Sequence, residues 1–96
     1  MPKAELLFKE RREMVNGAIL QAVIWRVPSP VPPSGHFLKY SLVYIVDGVR
    51  VVGYDNERGK GDHRHYGTRE EPYRFVTPER LMQDFLDDVR AAGGEV

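Results

Sequence analysis

The chain has 96 residues, 42% hydrophobic and 29% charged, which bounds it to one ordinary globular domain with an adequate core. Its formal net charge of zero excludes a module that coats long nucleic acid by bulk electrostatics, and the lack of cysteine excludes disulfides and thiolate metal sites. Charge enters the N-terminal Met1–Glu10 stretch too early for a signal peptide, and no apolar run approaches the roughly 20 residues of a membrane span, so a cytoplasmic protein is expected.

Residues 3–13 read as a strand, although their Glu and Lys content also suits a helix; the Asn16-Gly17 pair decides for a hairpin with a type I′ turn. The return strand is 18–27, rich in β-branched and aromatic residues, with Trp25 expected in the core. Pro28–Gly35 holds four prolines in six positions and reads as a stiff surface connection. Two further strands, 40–46 and 49–55, flank Asp47-Gly48, a second type I′ signature. An uninterrupted ladder from that turn pairs Val46 with Val49, Tyr44 with Val51 and Leu42 with Gly53, where the glycine leaves room for a bulge or a packed aromatic. Pro72–Val76 suits a short fifth strand. Thr77-Pro78-Glu79 announces a helix, and Leu81, Met82, Phe85, Leu86 and Val89 give it one apolar stripe before Gly93-Gly94 ends it. The expected fold is α+β, an antiparallel four- to five-stranded meander sheet with a C-terminal helix packed on one face.

The chemistry concentrates between Tyr54 and Gly67, read as a glycine-flexible loop. It carries Arg58, Lys60, His63, Arg64 and His65, punctuated by Gly59 and Gly61. From Arg58 to Arg69 bases outnumber acids, whereas the C-terminal helix is acidic, an asymmetry that suits a local anionic substrate. If the backbone there is extended, His63 and His65 leave one face and can straddle a phosphodiester as general base and acid. Arg58, Lys60 and Arg64 then neutralise the phosphorane, and Asp62 or Asp55 fixes an imidazole tautomer. That reading needs no metal or cofactor. Alternatively the two histidines, with Asp62 and either Asp55 or His36, could ligate a divalent metal, against which the neighbouring cations weigh. A phosphate-binding P-loop is excluded because Gly61, not Ser or Thr, follows Gly59-Lys60. Nucleophilic cysteine is absent, and the serines lie in the Pro-rich turn or a sheet. Tyr73 and Trp25 are the aromatic rings that could stack a base.

Trp25-Arg-Val-Pro28, the run Tyr54–His65, Pro72-Tyr-Arg-Phe75 and Thr77-Pro-Glu79 resemble the TumE-like family, small bacterial proteins regarded as toxins of type II toxin–antitoxin pairs. The resemblance covers roughly Lys3 to Val89. It implies a growth-inhibiting protein neutralised by a cognate antitoxin, usually one with a helix-turn-helix DNA-binding domain. It leaves the chemistry open between metal-independent endoribonuclease, metal-dependent nuclease and a non-enzymatic module that binds nucleic acid or protein through its basic loop. The expected substrate contacts are Arg58, Lys60, Arg64, Asp55 and Tyr73, with His63, His65 and Asp62 catalytic. The expected partners are antitoxin, RNA and a second copy in a homodimer, with no membrane.

Overall fold

The computed structural model describes residues 3–96. Six strands form one antiparallel sheet in chain order: β1 (Glu5–Glu13), β2 (Ile19–Arg26), β3 (Leu38–Val46), β4 (Val49–Glu57), β5 (Gly61–Tyr66) and β6 (Arg69–Pro72). Helix α1 (Pro78–Ala91) follows and packs on one face. The α+β meander is the expected one, with more strands than expected. The difference lies in the Gly/His stretch, which is not a loop. Arg58-Gly59-Lys60 closes a hairpin between Glu57 and Gly61, with Gly59 at φ +87° and Gly61 at φ +78°. The glycines serve the turn, and the chain after them is a regular strand. The last strand shares only Pro72 with the expected Pro72–Val76. Pro72 ends it because proline has no N–H for the ladder, and Tyr73 N donates instead to the Asp62 carbonyl at 3.1 Å.

Asp47-Gly48 forms the expected turn, with φ +51° and +76°. At Asn16-Gly17 only the glycine has positive φ, which rules out type I′. Asn16 instead accepts a hydrogen bond from Ala18 N through Oδ1 at 3.0 Å, a local side-chain turn that asparagine makes readily. A bulge between Tyr44 and Ile45 corrects the β3–β4 register, so that Tyr44 opposes Val52, Leu42 opposes Tyr54 and Val43 opposes Gly53. The one-residue shift decides which side chains share a face. It puts Val52, Tyr54 and Asn56 beside Tyr40, Leu42 and Tyr44, and sends Gly53 and Asp55 to the other side.

Leu81, Phe85 and Val89 of α1 are fully buried against Leu20, Ala22, Ile24, Tyr40, Leu42, Tyr44, Val52 and Tyr54. Each such side chain contributes about 1.5–3 kcal/mol by leaving water. Thr77 caps the helix by accepting from Arg80 N at 3.0 Å, with Pro78 at its first position. Past the last turn, Gly93 N donates to Arg90 O and Gly94 N to Val89 O. Trp25 has the opposite parity to Ala22 and Ile24. It is therefore half-buried on the face away from α1, paired with Leu6 and Lys39, rather than in the core.

The proline-rich segment is more than a surface connection. It buries Val31 and Ser34, and Gly59 N donates to the Pro32 carbonyl at 2.8 Å. The ring of Pro33 lies 3.1 Å from where a Cβ on Gly61 would stand, so the segment braces the β4–β5 turn. No helix among the described residues is long and apolar enough to cross a membrane.

Candidate functional site

The sheet face that α1 leaves uncovered is built in rows. Cross-strand pairing aligns Val23, Ser41, Asp55, His63 and Pro72 in one row, and Gln21, Val43, Gly53, His65 and Glu70 in the next. Alternation along a strand sends His63 and His65 to the same side as Asp55. His63 Nε2 lies 2.5 Å from Asp55 Oδ1, and His65 Nε2 lies 3.9 Å from Asp55 Oδ2. The two rings meet edge to face with centroids 4.8 Å apart. His63 is 3% exposed and His65 8%. Yet Asp55 Oδ1 and both Nε2 atoms make no hydrogen bond, although His63 and Asp55 stand at ion-pair distance.

Three neighbours complete the cluster. The Gly61 carbonyl accepts from His63 Nδ1 at 2.9 Å. Glu70 Oε1 lies 3.8 Å from His63 Nε2, and its Oε2 lies 3.8 Å from His65 Nδ1. Arg50 fills the space above Gly53, where a Cβ would stand 3.0 Å from Arg50 Cδ and 3.6 Å from His65 Cδ2. The room left by Gly53 is thus taken by a guanidinium arm and an imidazole. Burial first, and the Arg50 charge second, hold the His65 imidazole below its ordinary pKa.

Other expected site residues go elsewhere, for the same reason of alternation. Asp62, Arg64 and Tyr66 face the helix. Asp62 accepts from Ser34 Oγ at 2.5 Å and from Tyr40 OH at 2.7 Å, and pairs with His36 Nε2 at 2.7 Å. It therefore orients His36 and not His63. Burial alone would raise the Asp62 carboxyl, but these hydrogen bonds outweigh it and hold it below the usual carboxylate range. Arg64 donates to Glu71 at 2.7 Å and to Tyr54 OH at 3.3 Å. Tyr73 is buried edge-on against Tyr54, with centroids 4.9 Å apart, and donates to Asp84 at 2.6 Å. Burial, then the Asp84 acceptor, push its phenol well above the ordinary value. Tyr54 and Tyr66 both donate to Asp88, so two helix acids serve the sheet rather than the solvent. Arg58 is exposed on the hairpin turn, and Lys60 stands at the rim of the cluster, 3.5 Å from Glu70.

The sequence reading brought His63, His65 and Asp55 forward, and the fold brings those together. It missed Glu70 and Arg50, which reach the cluster only through strand pairing. The period-two pattern of Gly61–Tyr66 was the available signal. A shallow recess of about 270 Å³, lined by Lys60, His63, Glu70 and Pro72 among others, opens beside the cluster. Along the same face a trough of about 400 Å³ runs over β1–β3, lined by Lys9, Arg11, Gln21, Val23, Ser41 and Val43. An apolar groove of about 460 Å³ between β1 and α1 lies on the opposite side of the sheet, away from these groups.

Fold and site together define a small α+β protein with a structural, helix-covered sheet face and an open face that holds a buried imidazole–carboxylate cluster. The family model described as Toxin TumE matches residues 4–92, and the chain belongs to that family. Membership implies a cognate antitoxin. No curated protein and no solved structure gives a match to the chain.

Proposed function

We propose that this toxin-family chain inhibits growth by cleaving RNA at the Asp55–His63–His65 cluster, with the strand approaching over the open sheet face. The observation that carries the reading is the convergence of three buried polar atoms without partners. Leaving a buried polar atom unpaired costs about 1–3 kcal/mol, so a fold that gathers three of them keeps them for a ligand or a reaction. The surroundings fit a polyanion. Lys9 and Arg11 line the trough on the same face, and Lys60 stands at the recess. The Lys60–Glu70 pair is exposed and 3.5 Å long, a contact worth at most about 1 kcal/mol, so a phosphate can take Lys60 from Glu70 and reach the imidazoles. With its Nδ1 donating to the Gly61 carbonyl, His63 has Nε2 as the nitrogen left for proton transfer.

The test is growth inhibition in cells and cleavage of total RNA by pure protein, for wild type and the double variant His63→Gln, His65→Gln. Loss of both activities with an unchanged circular dichroism spectrum is expected. A folded double variant that stays fully toxic would sink the reading. The exposed variants Lys9→Ala and Arg11→Ala, which carry little folding risk, should each weaken RNA binding and lower its salt dependence. Salt-dependent binding without any cleavage would mean that toxicity is occupancy and not catalysis.

A further inference from the structure

We infer that Asp55, His63 and His65 form a binding site for one first-row divalent metal ion, of the zinc, manganese or iron class. A carbonyl oxygen only accepts, so the 2.9 Å contact to Gly61 O places a proton on His63 Nδ1 and leaves Nε2 as the nitrogen that faces Asp55. That nitrogen stands 2.5 Å from a carboxylate oxygen, with both atoms buried and no hydrogen bond formed by either. Two such atoms hold together at that distance only with a proton or a metal cation between them. A proton between His63 and Asp55 leaves the equally unpartnered His65 Nε2 orphaned, whereas one metal cation serves all three atoms.

The dimensions agree. The ligand atoms of the three residues all lie within 4.8 Å of one another. Bonds of about 2.0–2.2 Å to a common ion put neighbouring ligand atoms roughly 3.0–3.4 Å apart, within reach of small side-chain rotations. The outer shell agrees as well. Metal-bound histidines hand their other N–H to a carbonyl or carboxylate, which orients the ring and raises its basicity. Gly61 O does this for His63, and Glu70 Oε2 stands 3.8 Å from the Nδ1 of His65. Asp55 and Glu70 also offset the charges of Arg50 and Lys60. The second histidine–carboxylate pair in the molecule shows the contrast. Both oxygens of Asp62 are already occupied by Ser34, Tyr40 and His36, which leaves no orphaned donor there. Two imidazoles and one carboxylate leave open coordination positions for water or a phosphate oxygen, and a bound ion of this kind can generate hydroxide near neutral pH.

The site shares its residues with the RNA-cleavage reading and deepens it, but its test does not need RNA. Untagged full-length protein, stripped with chelator, is titrated with Zn²⁺ by calorimetry and with Co²⁺ by visible absorption. One equivalent should bind, with cobalt d–d bands and shifts of both His63 and His65 Nε2 in imidazole ¹⁵N spectra. Asp55→Asn and His63→Gln should each weaken binding by about tenfold or more, while His36→Gln leaves it unchanged. The ¹⁵N experiment uses wild type and so holds even if a variant misfolds. Failure to bind one equivalent, or shifts at His36 instead, overturns the site. Metal binding without RNA cleavage keeps this site and removes the RNA reading, whereas chelator-resistant cleavage without metal binding does the reverse.

Discussion

Replacing Asn56 by Ala tests how the sheet is closed at the end that carries the cluster. β3–β4 pairing stops at Ser41–Asp55, and beyond it the Asn56 side chain takes the place of a strand. Its Oδ1 accepts from Tyr40 N at 2.9 Å and its Nδ2 donates to Leu38 O at 2.7 Å, with the residue fully buried. Asn56→Ala orphans one backbone donor and one backbone acceptor, each at a cost of about 1–3 kcal/mol. The expected loss is about 2–6 kcal/mol, a large share of the roughly 5–15 kcal/mol that holds a small domain. In a 60–100-residue domain each kcal/mol moves Tm by about 4–8 °C, so Tm should fall by about 8 °C or more. Urea unfolding followed by far-UV circular dichroism measures both. Asn56→Asp keeps the acceptor but not the donor, and loses the bond to Leu38 O as well as burying a charge. A loss below about 1 kcal/mol in Asn56→Ala would refute the claim that this side chain substitutes for a strand.

Two further outcomes follow from the helix side of the sheet. Because the Asp62 carboxyl is held below its ordinary pKa, the stability it supplies is complete above the unfolded value of about 4 and is lost as pH falls through the folded one. The stability gap between wild type and Asp62→Asn, from urea midpoints between about pH 2 and 6, should therefore shrink toward acid; a constant gap would contradict it. At Gly94, a Cβ would stand 2.4 Å from Val89 Cγ1 and 3.0 Å from Val89 O, a backbone atom that cannot move aside. Gly94→Ala should cost about 1–3 kcal/mol in thermal unfolding, while Gly35→Ala, with no atom within 4 Å of its Cβ, should stay within about 0.5 kcal/mol. Equal melting temperatures for the two variants would contradict that packing.

Local chemistry made much of the architecture legible. Thr77-Pro78-Glu79 and the Leu81–Val89 stripe specify α1, and Asp47-Gly48 specifies its hairpin, because caps, turns and amphipathic faces depend on residues a few positions apart. The Tyr54–Gly67 stretch misled for a related reason. Glycines and charges resemble a solvated loop unless the alternation that follows, Asp62, Arg64 and Tyr66 against His63 and His65, is given weight. The bulge between Tyr44 and Ile45 left no comparable mark on the sequence.

The amino-acid order alone determined that the chain forms an antiparallel meander and a C-terminal helix, and it singled out the stretch that carries His63 and His65. Only tertiary pairing decided that Asp62 and Arg64 turn to the helix while Glu70 and Arg50 join the imidazoles. The physical reason is that a strand's two faces are separated by one residue of register, and register is fixed by partners distant in sequence.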